Sequence, residues 1–151
     1  MTYHLAQLNV AVPRFPTDDP RMDGFMSALD EINALADRSP GFVWRLVGEG
    51  SNDATDLRAD LDGQEQMINL AVWEDVDSVW NYVYRSDHLD YLRQRREWFE
   101  TPSGPVIVCW WVPAGELPTV EEGMERLALL RVHGPTPEAF TFRDRFDPPA
   151  A

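Results

Sequence analysis

One stretch of the chain sets an imidazole and a guanidinium among apolar residues. Counted at helical spacing from His88, the positions Tyr91, Leu92, Arg95 and Phe99 share one face of a helix. A neutral imidazole, ordinarily titrating near ~6.5, takes or gives a proton at neutral pH, and an arginine holds an enolate, carboxylate or phenolate oxygen. Trp80 and Tyr84, just upstream, together with Tyr91 would line an aromatic cleft around that pair. The competing reading makes both groups packing residues, with Arg95 paired to a buried carboxylate and His88 bound to a backbone carbonyl. A second set of polar residues lies on strands: Gln7 and Asn9 near the N-terminus and Asn69 in mid-chain, the last on the same strand face as Trp73. Amides in an apolar pocket orient a carbonyl or an oxygen species, and they can equally bridge strands. His88, Arg95 and Asn9 are the catalytic candidates, and Trp80, Tyr84, Tyr91, Asn69 and Trp73 the ligand-binding ones.

The elements that must position these groups follow from periodicity. Tyr3 to Val10 reads as a strand, with Ala6, Leu8 and Val10 on one face and Leu5, Gln7 and Asn9 on the other. Asp19 can cap a helix that has Pro20 at its first position, and Met22, Phe25, Met26, Leu29, Ile32 and Leu35 continue it until Ser39-Pro40-Gly41. Phe42 to Val47 and Gln66 to Trp73 are the next strands. Between them, residues 48–65 carry six carboxylates and one arginine, which predicts a flexible acidic loop. Val76, Val79, Trp80, Val83 and Tyr84 restore helical spacing, and after a break near Ser86 a further helix is expected to run to about Phe99. Val106 to Val112 is the most apolar strand, Thr119-Val120-Glu121-Glu122 has capping-box spacing, and Gly134-Pro135 ends the last helix. The tail, residues 136–151, holds Phe140, Phe142 and Phe146, so at least its first half should pack.

The order strand, helix, strand, strand, helix pair, strand, helix predicts one α+β domain over residues 1–151. Its expected core is a ferredoxin-like, four-stranded antiparallel sheet with helices on one face. Both faces of the third strand are too apolar for open solvent, with Ile68, Leu70 and Val72 on one and Met67, Ala71 and Trp73 on the other. If helices cover only one face, a second subunit must cover the other, so a homodimer is expected.

Composition removes several functions. The 13 basic residues are all arginine, which excludes lysine Schiff-base chemistry, and against 26 Asp plus Glu they leave a net charge of −13. Such a surface repels nucleic-acid phosphates and anionic membranes, so neither is an expected partner. Cys109 alone allows no intramolecular disulfide and no cysteine-rich zinc site, and it suits a reducing cytoplasm. There is no basic-then-apolar leader pattern and no apolar run of membrane-spanning length. His4, His88 and His133 fall on different elements, so no metal site is read. Most of the six tryptophans fit strand cores, and Trp110 and Trp111 point to opposite sheet faces.

The runs Ile32-Asn33-Ala34-Leu35-Ala36, Gly41-Phe42-Val43-Trp44-Arg45-Leu46, Asn69-Leu70-Ala71-Val72-Trp73-Glu74, Arg95-Arg96-Glu97-Trp98-Phe99, Trp110-Trp111-Val112-Pro113-Ala114-Gly115 and Gly134-Pro135-Thr136-Pro137-Glu138-Ala139-Phe140 resemble the bacterial family called domain of unknown function 3291. The likeness covers nearly the whole chain. It implies a dimeric α+β barrel, a fold whose relatives include antibiotic-biosynthesis monooxygenases and haem-degrading monooxygenases. Haem-degrading relatives use an Asn on the first strand and a Trp and a His after the third. Aligned on Ser86-Asp87, their Trp falls on Val83 and their His on Arg93, so only Asn9 matches and no cofactor is expected. The resemblance and the residues together point to a cofactor-independent monooxygenase, or a related isomerase or cyclase, acting on an aromatic or polyketide-like molecule. In that reading His88 moves the proton, Arg95 steadies the oxyanion and Asn9 orients oxygen or a carbonyl. The alternative is a non-catalytic module of the same fold that holds a small hydrophobic ligand.

Overall fold

The computed structural model describes residues 2–48, 53–55, 57–61 and 63–150. Its strands are β1 (Tyr3–Ala11), β2 (Phe42–Arg45), β3 (Arg58–Leu61), β4 (Gln64–Trp73) and β5 (Ile107–Pro113). The helices are α1 (Asp23–Asp37), α2 (Val76–Tyr84), α3 (His88–Arg93), α4 (Arg95–Trp98) and α5 (Val120–His133). The strands form one antiparallel sheet in the order β2-β4-β1-β5, the ferredoxin-like order expected for this α+β chain, with β3 added against β4.

The alternation in β1 fixes what each face carries. Ala6, Leu8 and Val10 stand opposite Val72, Leu70 and Ile68, while Leu5, Gln7 and Asn9 stand opposite Trp73, Ala71 and Asn69. The first face is closed by α5, whose Leu127 and Leu130 pack with Leu8, Val108 and Trp110 in a core from which solvent is excluded. Gly123 permits the approach: a Cβ there would lie 3.1 Å from Leu8 Cδ2 and 3.2 Å from Trp110 Cη2. Thr119 caps the helix as the sequence predicts, its Oγ1 accepting from the Glu122 amide at 3.1 Å. Glu122 in turn accepts from Trp110 Nε1 at 3.0 Å, which ties the first turn of α5 to the sheet.

Two expectations are corrected here. Helices are not confined to one face: α5 packs on the Ala6/Leu8/Val10 face, while α1 and α2 pack on the other. Nor is the whole of 48–65 a flexible loop: residues 58–61 form β3, running from Arg58 opposite Met67 to Leu61 opposite Gln64 around Gly63 at φ 80°. The carboxylate count masked a period-two pattern. Leu57, Ala59 and Leu61 pack onto the α5-covered core while Arg58 and Asp60 face solvent. Residues 49–52, 56 and 62 of that segment lie outside the described residues.

The opposite face carries Leu5, Ala71, Trp73 and Cys109, packed against Ala36 of α1 and against Val76 and Val79 of α2. As expected for an aromatic tail, Phe140 and Phe142 are buried there, and Phe140 exchanges both backbone hydrogen bonds with Cys109 at 2.8 and 2.9 Å. Trp111 Nε1 donates to the Phe146 carbonyl at 2.9 Å. Asp19 caps the 3-10 turn Pro20–Met22 that leads into α1, and Asp75 caps α2 through the Ser78 amide at 2.8 Å. Beyond Ser86 the chain makes two short helices where one was expected, because Gln94 (φ −92°, ψ 0°) separates α3 from α4.

Candidate active site

Between the Gln7/Asn9 face of the sheet and the helices above it lies a cavity of about 510 Å³, within the range of small-molecule sites. Its floor is Gln7, Asn9 and Asn69. Its aromatic and aliphatic walls include Phe25, Leu29, Ile32, Tyr82 and Trp98, and α3 and α4 supply His88, Tyr91, Leu92 and Arg95, with Phe99 following. The face that helical spacing assembles from His88 to Phe99 therefore opens into one space with the strand amides. Of the eight candidates read from the sequence, six line this cavity: His88, Arg95, Asn9, Asn69, Tyr84 and Tyr91.

Trp73 and Trp80 do not line it. Trp73, 2% exposed, sits at the closed end of β4 between Phe42 and Tyr82, with ring centroids 5.3 and 5.1 Å away. Its Nε1 is the only buried side-chain polar atom without a partner among the described residues. In α2, Val79, Tyr82 and Val83 face the cavity. Trp80 is turned toward the tail, packed 4.4 Å from Tyr84 with the Arg145 guanidinium 5.5 Å from its ring.

His88 is held from both sides. Its Nδ1 lies 3.4 Å from the Val83 carbonyl and its ring 4.8 Å from that of Tyr82, while its amide donates to Ser86 Oγ at 3.2 Å. Burial drives the imidazole pKa below its ordinary value, and the Val83 carbonyl offsets this only in part. With Nδ1–H donated to Val83, the neutral ring leaves the Nε2 lone pair without a protein partner among the described residues. That is the state a general base needs. Sequence alone left the direction of this shift open, since Asp87 and Asp90 neighbour His88 in the chain; both are exposed.

On the floor, Gln7 is 7% exposed and donates from Nε2 to Asn9 Oδ1 at 2.7 Å. This bond occupies the Asn9 oxygen and leaves its amide N–H groups as the end available to a ligand. Arg95 is exposed at the cavity rim. Its Nη1 donates to the Leu92 carbonyl at 2.9 Å, and among the described residues it forms no ion pair, so the buried carboxylate partner of the packing reading is not present.

Tyr82 is the principal wall residue that sequence reasoning missed. Its hydroxyl reaches the Ile32 carbonyl of α1 at 3.3 Å, its ring separates His88 from Trp73, and burial pushes its pKa up. The available signal was its place three residues after Val79 on α2. Cys109 is buried and its thiol pKa is likewise raised by burial, as a core residue requires. Among the described residues no group of three His, Cys, Asp or Glu side chains is placed to hold a metal ion, and no helix is long and apolar enough to cross a membrane.

An α+β sheet of ferredoxin-like order with an amide-floored cavity beneath its helices is the class of protein this architecture defines. Residues 4–151 match the family described as Domain of unknown function (DUF3291), and the chain belongs to that family. Similar solved structures are two of SnoaB, a cofactor-independent oxygenase from Streptomyces nogalater. The structure of a SnoaB point mutant is 17% identical, with 81% of this chain and 100% of that chain covered at a TM-score of 0.43. The second SnoaB structure is 18% identical, with 80% and 96% covered at a TM-score of 0.39. No curated protein matches.

Proposed function

We propose that the cavity is the active site of a cofactor-independent enzyme that removes a proton from carbon in an aromatic or polyketide-like molecule. The observation that carries this reading is a half-buried His88, its pKa lowered by burial, in the wall of the same cavity that has the Asn9 amide on its floor. His88 takes the proton on Nε2. The electron pair left on carbon delocalises onto the neighbouring carbonyl oxygen, which accepts from the Asn9 amide, while Arg95 holds an anionic oxygen of the substrate at the rim. The carbanion can be reprotonated elsewhere or close a ring. It can also pass electrons to O2, so that CH2 becomes C=O, one oxygen atom enters the product and the other leaves as water.

Anthrone tests this directly, being an aromatic ketone with an acidic CH2. The expected result is protein-dependent exchange of that CH2 with D2O under argon, and anthraquinone formation when O2 is admitted. His88→Gln should lose both while retaining fold and anthrone affinity. Exchange at the buffer rate with wild type, or full activity in the glutamine variant, would overturn the reading.

A further inference from the structure

The rim of the cavity carries positive charge that the protein itself leaves unused. Arg95 and Arg96 both line the cavity, and Arg14 is fastened beside them, its Nε donating to the Arg96 carbonyl at 2.6 Å and its amide to the Trp98 carbonyl at 2.8 Å. Among the described residues none of the three guanidinium groups meets a carboxylate. Arg95 uses one donor on the Leu92 carbonyl, and among the described residues no side-chain bond of Arg96 is present. This arrangement stands in a chain of net charge −13, where Arg21, Arg45, Arg126 and Arg145 each pair with Asp or Glu. The carboxylates that line the cavity among the described residues have other contacts: Asp53 Oδ1 accepts from the Thr55 amide and hydroxyl at 3.0 and 2.6 Å, and Glu100 accepts from Gln64 Nε2 at 3.5 Å. An exposed guanidinium with no protein counter-charge keeps donors available to a bound anion.

We propose that this rim binds the carboxylate of the substrate, so that the cavity selects an amphipathic aromatic acid. The proposal rests on the reading of the cavity as a small-molecule site and adds the second end of the ligand. The ring system lies between Phe25, Tyr82, Tyr91 and Trp98. A carbonyl oxygen meets the Asn9 amide on the floor, and the carboxylate meets the planar guanidinium forks at the rim, whose fixed donors match its two oxygens. Recognition at both ends also sets orientation, directing the reacting carbon toward the helices instead of the solvent.

The probes are 9-anthracenecarboxylate and its methyl ester, with binding followed by quenching of tryptophan fluorescence in the full chain. Wild type is expected to bind the acid about tenfold more tightly than the ester in low salt, and most of that preference should vanish in about 0.5 M NaCl, because rim charges are screened. The Arg95→Gln/Arg96→Gln variant should bring the two probes within about twofold of each other with ester affinity retained. The salt series needs no variant, so the test stands even if the substitutions disturb folding. Equal binding of acid and ester by wild type would overturn the carboxylate proposal and leave the cavity reading intact. Failure of both probes to bind would overturn the cavity reading and this proposal with it.

Discussion

The two faces of the sheet are made by the same strands and come to opposite ends. Under α5, Ala6, Leu8 and Val10 of β1, Ile68, Leu70 and Val72 of β4 and Val108, Trp110 and Val112 of β5 are aliphatic or Trp and buried, and Gly123 brings the helix backbone close. On the other face Gln7, Asn9 and Asn69 replace aliphatic side chains, α3 and α4 are short and separated at Gln94, and a cavity of about 510 Å³ lies beneath them and α1. A helix packed against methyl groups gains from each contact. A helix held over amides gains less, and their donors stay available to a ligand. We therefore expect the α5 face to contribute the larger share of stability, and the proposed chemistry belongs to the other face.

That division can be broken by substitution. Leu127→Ala, on the closed face, is expected to cost about 2–5 kcal/mol, whereas Leu92→Ala, whose side chain already borders empty space, should cost about 1 kcal/mol or less. Urea unfolding of the two variants measures the contrast, and equal losses would mean that the cavity face is packed as tightly as the other.

Gln7→Leu probes the floor. Freed from Gln7, the Asn9 amide can rotate, and about tenfold of the anthrone exchange rate should be lost while urea stability changes little. An unchanged rate would show that the Gln7–Asn9 bond serves the strand only.

The smallest expected effect is on pH dependence. Because the folded His88 pKa lies below its unfolded value, the unfolded chain takes up the proton first as pH falls. The stability associated with the neutral imidazole is complete above about pH 6.5 and declines from there toward the folded pKa. In His88→Gln that portion of the acid-side decline should be absent. The base-dependent rate should likewise hold through neutral pH and fall only below the ordinary histidine range.

Much of this was legible from spacing. The alternation in β1, the Asp19 cap and the Thr119 cap are local, and local rules placed them. Tail burial followed from three phenylalanines too apolar to leave in water. What failed was set by tertiary neighbours. Helical phase gathered His88, Tyr91, Leu92, Arg95 and Phe99 correctly, yet it could not say that the chain breaks at Gln94 and leaves Arg95 exposed. On α2, phase alone could not choose between Trp80 and Tyr82, because both lie on apolar faces and only the path of the tail assigns Trp80 to Arg145. β3 was hidden by composition, since its solvent-facing residues are charged while Leu57, Ala59 and Leu61 turn inward.

The central claim is that His88 stands neutral in the wall of a cavity that accepts an aromatic molecule. Its imidazole Cε1–H resonance, assigned with the His88→Gln variant and titrated from about pH 5 to 8 with and without 9-anthracenecarboxylate, tests this most directly. The expected midpoint in the free protein lies below the ordinary value of about 6.5, and the resonance should be displaced once the anthracene occupies the site. A midpoint at or above that value, together with a resonance indifferent to saturating ligand, would contradict it.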